Sequence, residues 1–343
     1  MIDQLRPAFR LTADGNPFAT GRVLAIRITD EAGYESDELQ IELDDAEPQI
    51  ARPREGAVLA VALGYEGSQL TEFGTYTVEE FERSGWPRRA VLTAKAADHA
   101  KTMKEPKTRA WEGKTLGDVV RAIAAEHGLS PAIGERFASI ELPFIAQTEE
   151  SDQNLLTRLG KRIGAVIAPK DQRLLVTARH SGQTANGQAM PAVAVHPDML
   201  IAQDAYRIGS RPRGRFGSVR VRWRDRKAGL TRNVVVQTDL EGPQKTLREI
   251  YQDEADAQRA ADAAVREIKA GEGAMTLRLV GTPLARAEAP IVVSGVSLDV
   301  DGRWIATRVS HEWNFEGGGA TTEIVAEFGA DEDDREDAST GAS

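Results

Sequence analysis

The chain has 343 residues, no cysteine and a formal net charge of −10. This length predicts two or three domains with ample apolar surface to bury. The absence of cysteine excludes disulfides, thiolate nucleophiles, zinc fingers and iron–sulfur clusters. Mean hydropathy is −0.38, and no apolar run approaches the roughly 20 residues that cross a bilayer. We expect a globular protein without a membrane span.

The negative charge is unevenly distributed along the chain. Half of it lies in residues 331–343, where six acids accompany one arginine. The rest of the chain is mildly acidic, which argues against general nucleic-acid binding because that needs a large basic surface. Residues 1–7 lack the basic and apolar segments of a secretory signal. We therefore expect synthesis and assembly in a cytoplasm.

Residues 1–98 are predicted to form a first antiparallel β domain. Apolar residues at period two place one sheet face in the core, as for Leu24, Ile26 and Ile28, and again for Leu39, Ile41 and Leu43. Turn residues separate the strands. The predicted strands are Pro7 to Leu11, Arg22 to Thr29, Ser36 to Leu43, Ala57 to Tyr65, Thr75 to Phe81 and Ala90 to Ala96.

Residues 99–184 are predicted to form a small α+β insert domain. Thr115 and Ser151 can cap two amphipathic helices, with Asp118 completing a capping box at the first. Gly128 and Gly164 suit the residues that end these helices. The second helix has the apolar stripe Leu155, Leu156, Leu159 and Ile163, and a hairpin follows over residues 165–178.

Residues 185–329 are predicted to form a second β domain with one flanking helix. Residues 181–189 have the composition of a linker. The helix, Asp253 to Ala270, has a narrow stripe of small residues that suits close packing on a sheet. Residues 330–343 are expected to be a disordered acidic tail. The whole is a mainly β protein, and two sheet-rich units around an insert suggest a duplicated fold.

Catalytic and ligand-binding patterns are not found in the sequence. The histidines, at 99, 127, 180, 196 and 311, have no metal-ligand spacing, and His196-Pro197-Asp198 lacks a Gly-x-Ser-x-Gly nucleophile. The adjacent acids Asp44-Asp45 and Glu149-Glu150 are interpreted as solvated turns, and Gly317–Gly319 as a hairpin loop. We therefore predict no enzyme, metal site or cofactor. Trp304 and Trp313 are interpreted as core or interface residues.

The segment from Arg207 to Arg232 is strongly basic. It contains ten basic residues and one acid. Its arginines recur at period two, opposite Val219, Val221 and Trp223, which predicts a strand with one basic face. One interpretation is a solvated edge strand that resists aggregation. The other is a docking surface for an acidic partner or another copy of the chain. The candidate interface residues are Arg220, Arg222, Arg224 and Arg226.

Several segments resemble the phage late control D protein family, the baseplate hub of contractile phage tails and tail-like particles. A departure from the family pattern occurs at Ala285 to Ala289, where the family commonly has a glycine-containing turn. The similar segments are Trp111 to Val120, Glu150 to Gly160 with Gly164-Ala165, Ile250-Tyr251 before an alanine-rich helix, Val296 to Trp304, and Val309 to His311.

The resemblance implies two tail-tube-like β domains per chain, so that a homotrimer offers six similar domains to the sixfold tail tube and threefold symmetry to a central spike. The implied partners are further copies of this chain, the tail tube, central spike and baseplate wedge proteins, and the tape measure protein, with no membrane and no specific nucleic acid. The resemblance does not distinguish whether the particle is an infectious phage, a headless bacteriocin or a prophage remnant. A cell-wall hydrolase and a glycan-binding β adhesin are the alternative functions.

Overall fold

The computed structural model describes residues 5–18, 20–33, 36–96, 103–170, 172–201, 204–210, 215–271 and 273–328. The predicted disordered tail, residues 330–343, and His99 lie outside these ranges. The described chain is mainly antiparallel β with few helices, as predicted. No helix within the described ranges is long and apolar enough to cross a membrane.

The first strands follow the predicted alternation closely. Ile26, Ile28, Leu39 and Ile41 are completely buried in one core. Leu24 is only half-buried, because a register shift between Val23 and Ala25 moves it off the predicted face. These strands are β1 (Pro7–Ala13), β2 (Asn16–Pro17), β3 (Val23–Glu31), β4 (Glu38–Asp44), β5 (Val58–Tyr65), β6 (Thr71–Ser84) and β7 (Arg89–Ala96).

The insert contains the helices that the capping residues predict. Thr115 and Asp118 form both hydrogen bonds of a capping box, Ser151 accepts from the Asn154 N–H, and Gly164 closes its helix at φ 68°. A separate core fills the insert. Its elements are β8 (Pro106–Thr115), α1 (Leu116–Glu126), β9 (Ser130–Ile133), α2 (Glu135–Ala138), β10 (Glu141–Ser151), α3 (Asp152–Ile163), β11 (Ala165–Lys170) and β12 (Arg173–Ala178).

The remaining elements form two bodies. A helix, α4 (Glu254–Ala270), covers a three-stranded sheet of β15 (Ser218–Asp225), β16 (Leu230–Gln237) and β17 (Gln244–Tyr251), as its small-residue stripe predicts. The others join the strands of the first unit: β13 (Val193–Val195), β14 (Tyr206–Ser210), β18 (Gly273–Val280), β19 (Pro290–Val293), β20 (Gly302–Asn314) and β21 (Gly319–Phe328).

One large sheet contains strands from both predicted β units. Its main order is β14-β18-β21-β20-β3-β4-β7-β6-β5-β1-β2, and β20 pairs with β3 where the units meet. Each half has its own apolar core. Strands from both sides of the predicted domain boundaries therefore lie in one sheet. The sheet does not locate the boundaries themselves, and those at residues 98 and 184 stay predictions. The predicted linker is ordered at a turn, where the Thr184 N–H donates to the carbonyl of Gln188 over 2.8 Å.

Candidate assembly surface

The predicted basic strand exists as β15. Val219 and Val221 are completely buried against α4, and the alternating arginines Arg220, Arg222 and Arg224 therefore lie on the opposite, open face. Arg226 is not part of this face, because the strand ends at Asp225 and Arg226 begins the turn to β16. The prediction of four arginines on one strand face is therefore wrong at Arg226, and three remain.

The edge-strand interpretation is wrong, because β15 is the central strand, between β16 and β17. Arg220 pairs with Val235 of β16, and Arg222 lies between Asn233 and Ile250. Val235 and Ile250 are 45% and 54% exposed. We call the open face formed by Arg220, Arg222, Arg224, Asn233, Val235 and Ile250 the arginine face. It combines cations with exposed apolar side chains, a composition found at protein interfaces.

The arginines of this face form no ion pair with any residue that the structure describes. The Arg222 guanidinium donates to the carbonyl of Arg248 over 2.9 Å, and its Nε is buried without a hydrogen-bond partner. The Arg224 guanidinium is 3.4 Å from the hydroxyl of Thr231. Three positive charges without paired anions therefore lie side by side and repel one another. Anions that bind to this face would relieve the repulsion.

Among the described residues, the nearest approach to a metal site is a charged cluster in the insert, in which Glu126 is exposed and the side chains of His127 and Asp152 are buried. Glu126, His127 and Asp152 place ligand atoms within 4.8 Å of one another. Lys107 and Arg109 already donate to both carboxylates, with Lys107 2.6 Å from Asp152. Burial alone would raise the pKa of Asp152, but hydrogen bonds from its neighbours, Lys107 first, lower that pKa to about 2. Two cations thus occupy the place of a metal ion, and the cluster fits a structural role.

A second polar pair joins His196 to a serine. The Ser294 hydroxyl is 2.9 Å from Nδ1 of His196, and both residues are exposed. A nucleophilic serine needs a base that a third group orients, but no described carboxylate hydrogen-bonds to His196. The sequence did not predict this pair because the two residues are 98 positions apart.

The tryptophans divide between core and surface. Trp304 and Trp313 are 1% and 0% exposed, which confirms their interpretation as core residues and removes them as a sugar-binding platform. Trp223 is half-buried. Trp86 is 82% exposed at the turn after β6, with the Arg88 guanidinium over its ring. A single exposed ring on a turn is a poor basis for a glycan platform.

The interpretation of Asp44-Asp45 as a solvated turn is wrong for Asp45. Asp45 is 1% exposed and accepts hydrogen bonds from the Ile50 N–H and the Arg83 guanidinium. Glu150 likewise binds the Arg158 guanidinium through both carboxylate oxygens, at 2.9 and 2.6 Å. These acids stabilise local structure, and neither adjacent pair converges on a shared cavity.

Comparison with known proteins assigns the family. The family described as "Phage tail baseplate hub (GPD)" matches residues 40–317. The chain belongs to this family. The chain, called the hub chain below, is 28% identical to the "Probable baseplate hub protein" of Escherichia phage 186, over 96% of this chain and 97% of that protein. It is also 28% identical to the protein of that name from Escherichia phage P2, over 94% and 93%.

The fold of the hub chain is shared with solved tail proteins. The 43 kDa tail protein of prophage MuSo2 from Shewanella oneidensis superposes with a TM-score of 0.68 at 16% identity, covering 93% of this chain and 98% of that one. Family membership and the two relatives that align over nearly the whole chain support a baseplate hub function in a phage tail. The hub chain is thus a baseplate component of the virion.

Proposed function

We propose that the hub chain works as a homotrimeric, non-enzymatic adaptor that joins the sixfold tail tube to the threefold central spike of a contractile tail. The observation that carries the proposal is the large sheet, which contains strands of both β units and ends in two unlike edges. Its partners in this proposal are its own copies, the tail tube, spike and wedge proteins, and the tape measure protein. Assembly takes place in the bacterial cytoplasm.

The two sheet edges suit a closed ring. Within the described residues, β14 pairs only with β18, and residues 7–10 of β1 pair only with β5. A ring of identical chains needs two different surfaces that meet head to tail and close after a fixed rotation. Free strand edges associate readily with other edges. In this proposal β14 of one copy pairs with β1 of the next, which forms a ring in which each chain contributes two β units.

The arginine face supplies a second contact in this proposal. A cluster of unpaired arginines beside exposed Val235 and Ile250 suits a partner surface with carboxylates and apolar side chains. Arg222 is the central residue of the face. Paired contacts in a partly dry interface would replace the repulsion that the arginines experience in the isolated chain.

Charge reversal tests the arginine face. We expect Arg222→Glu with Arg224→Glu to leave the chain folded but to weaken association with the spike or between copies, by about 2 kcal/mol or more for each lost pair. Sedimentation of the variant with its baseplate partners measures this, and moderate salt should weaken the parent assembly in the same direction. The exposed pair Arg52→Glu with Lys114→Glu, elsewhere on the molecule, is the matched control.

Nucleic acid is the competing partner for a basic face. Filter retention of DNA at two salt concentrations separates the two partners, because phosphate contacts depend strongly on salt. Tight DNA binding that the double variant loses would assign the face to a DNA channel. Unchanged assembly in the double variant would contradict the proposed role of the arginine face. It would leave the ring proposal standing, because that proposal rests on the sheet edges.

A further inference from the structure

A basic groove lies between the insert and the three-stranded sheet, apart from the arginine face. It has a volume of about 480 Å³ and is bounded by α3, β17 and α4. β17 is an edge strand, because it pairs only with β15 among the described residues. Five cations line the groove beside the acids Glu249 and Glu267: Arg158, Lys161, Arg162, Lys245 and Arg248.

Part of this positive charge is not neutralised within the structure. Arg158 pairs with Glu150, and Arg162 pairs with Asp256. Lys161, Lys245 and Arg248 form no ion pair with a described residue. The ammonium of Lys245 lies 5.5 Å from the ring of Phe216, and Lys161 and Arg248 are exposed. Glu267 is paired with Arg179 at 3.7 Å, so Glu249 is the one remaining acid of the described lining beside these three cations. The groove therefore has an excess of positive charge that favours an anionic occupant.

The described chain ends close to this groove. A small cleft lined by Lys161, His180 and Glu267, together with Arg179 and Arg266, shares Lys161 and Glu267 with the groove. His180 is 3.9 Å from Glu327, the residue before Phe328 at the end of β21. The cleft thus connects the end of β21, through His180 and the ion pair of Arg179 with Glu267, to the groove at Lys161.

The acidic residues 331–337 begin three residues after Phe328 and contain six carboxylates. Three extended residues reach about 10 Å, and the seven residues 331–337 reach roughly 23 Å. The groove extends along α4 from Ala260 to Glu267, which is about 10 Å at 1.5 Å per residue. The segment is long enough to span the groove, and its charge is opposite to that of Lys161, Lys245 and Arg248.

We propose that residues 331–337 bind in the basic groove of their own chain. In this proposal the carboxylates of the segment lie beside Lys161, Lys245 and Arg248. Attachment to the same chain gives the segment an effective concentration in the millimolar range, so weak individual contacts suffice. This contact does not depend on the trimer or on the arginine face.

Zero-length carbodiimide cross-linking of the full chain tests the contact directly, because it joins a carboxylate only to an ammonium that touches it. We expect peptides that link residues 331–337 to Lys161 or Lys245 and that disappear in Lys161→Gln with Lys245→Gln. In an equal mixture of light and isotope-labelled chains, the links should stay within one label. Mixed-label links, or equally frequent links to Lys114, would overturn the proposal.

A competition experiment tests occupancy independently. A fluorescent peptide of residues 329–343 should bind at least tenfold more tightly to a full chain whose six acids are changed to Asn or Gln than to the parent, whose groove is filled. Adding Lys161→Glu with Arg248→Glu to the neutralised chain should lower that affinity at least tenfold. The control pair Arg52→Glu with Lys114→Glu should change it less than twofold. Equal binding to the parent and the neutralised chain would contradict an occupied groove.

Discussion

Glu288 combines a strained backbone with a buried carboxyl group of which one oxygen has no hydrogen-bond partner among the described residues. Its φ is 65°, in the left-handed region that glycine adopts without steric cost, and its Oε2 is buried without a hydrogen-bond partner. Burial raises the pKa of Glu288 to about 7, although a hydrogen bond from the backbone of His180 acts in the opposite direction. This is the segment, Ala285 to Ala289, in which the related family commonly has a glycine-containing turn.

Glu288 should make the stability of the protein depend on pH. Its pKa is higher in the folded chain than the ordinary 4.5, so folding favours the protonated form, and stability falls as pH rises from about 4.5 to about 7. We expect Glu288→Gln, which is always neutral, to raise the free energy of unfolding at pH 8 by about 1–3 kcal/mol and to change it little at pH 4.5.

Urea unfolding at the two pH values measures this effect. The exposed Glu112→Gln is the control and should leave the pH dependence as in the parent. A gain for Glu288→Gln that is the same at both pH values would show that folding does not change the pKa of this carboxyl group. The sequence could locate the unusual turn here, but it could not show that a glutamate side chain is buried in it.

The helix ends were the most predictable features of the fold, because capping residues and apolar periodicity depend only on residues close together in the sequence. Thr115, Ser151 and Gly164 occupy their predicted positions. The ribbon of β8 and β10 was not predicted, since charged residues such as Lys107 and Arg109 interrupt any apolar alternation. Lys107 and Arg109 bind Asp152, which is 45 and 43 positions away. Only the tertiary structure brings these charges together.

The apolar stripe of α3 gives a direct test of the insert core. Leu159 is 1% exposed among the side chains of the insert core. We expect Leu159→Asp to unfold at least the insert, because burying an unpaired carboxylate costs several kcal/mol, which is comparable with the stability of a small domain. Hydrogen exchange of residues 103–170 and circular dichroism measure the loss. Asn154→Asp, at an exposed position of the same helix, should fold normally; a stable Leu159→Asp would contradict the packing of this face.

Long-range contacts fasten the β units and the insert into one molecule. The indole N–H of Trp313 donates to the carbonyl of Gly64 over 2.9 Å, and the hydroxyl of Tyr65 donates to Gly281 over 2.7 Å. Lys170 of the insert pairs with Asp30 of β3 at 2.6 Å. The partners are up to 249 positions apart. The sequence therefore predicted two β units but not the single sheet in which strands of both units lie.

The free edge of β14 allows a test of the proposed ring. Tyr206 and Ile208 of this edge strand are 42% and 36% exposed. Lysine on an edge strand opposes pairing with another chain, because its charge would have to be desolvated in the closed interface. We expect Tyr206→Lys with Ile208→Lys to keep the fold and to prevent assembly.

Light scattering should give three times the 37.2 kDa of one chain for the parent, alone or once the spike is added, and a single chain for the variant. Val292→Lys is the matched control, because Val292 is 38% exposed on a strand that pairs on both sides. This control should assemble like the parent, since no edge is altered. A variant of Tyr206 and Ile208 that still forms trimers would show that the chains meet through a surface other than the β14 edge. A parent that stays a single chain even with the spike would contradict the trimer itself.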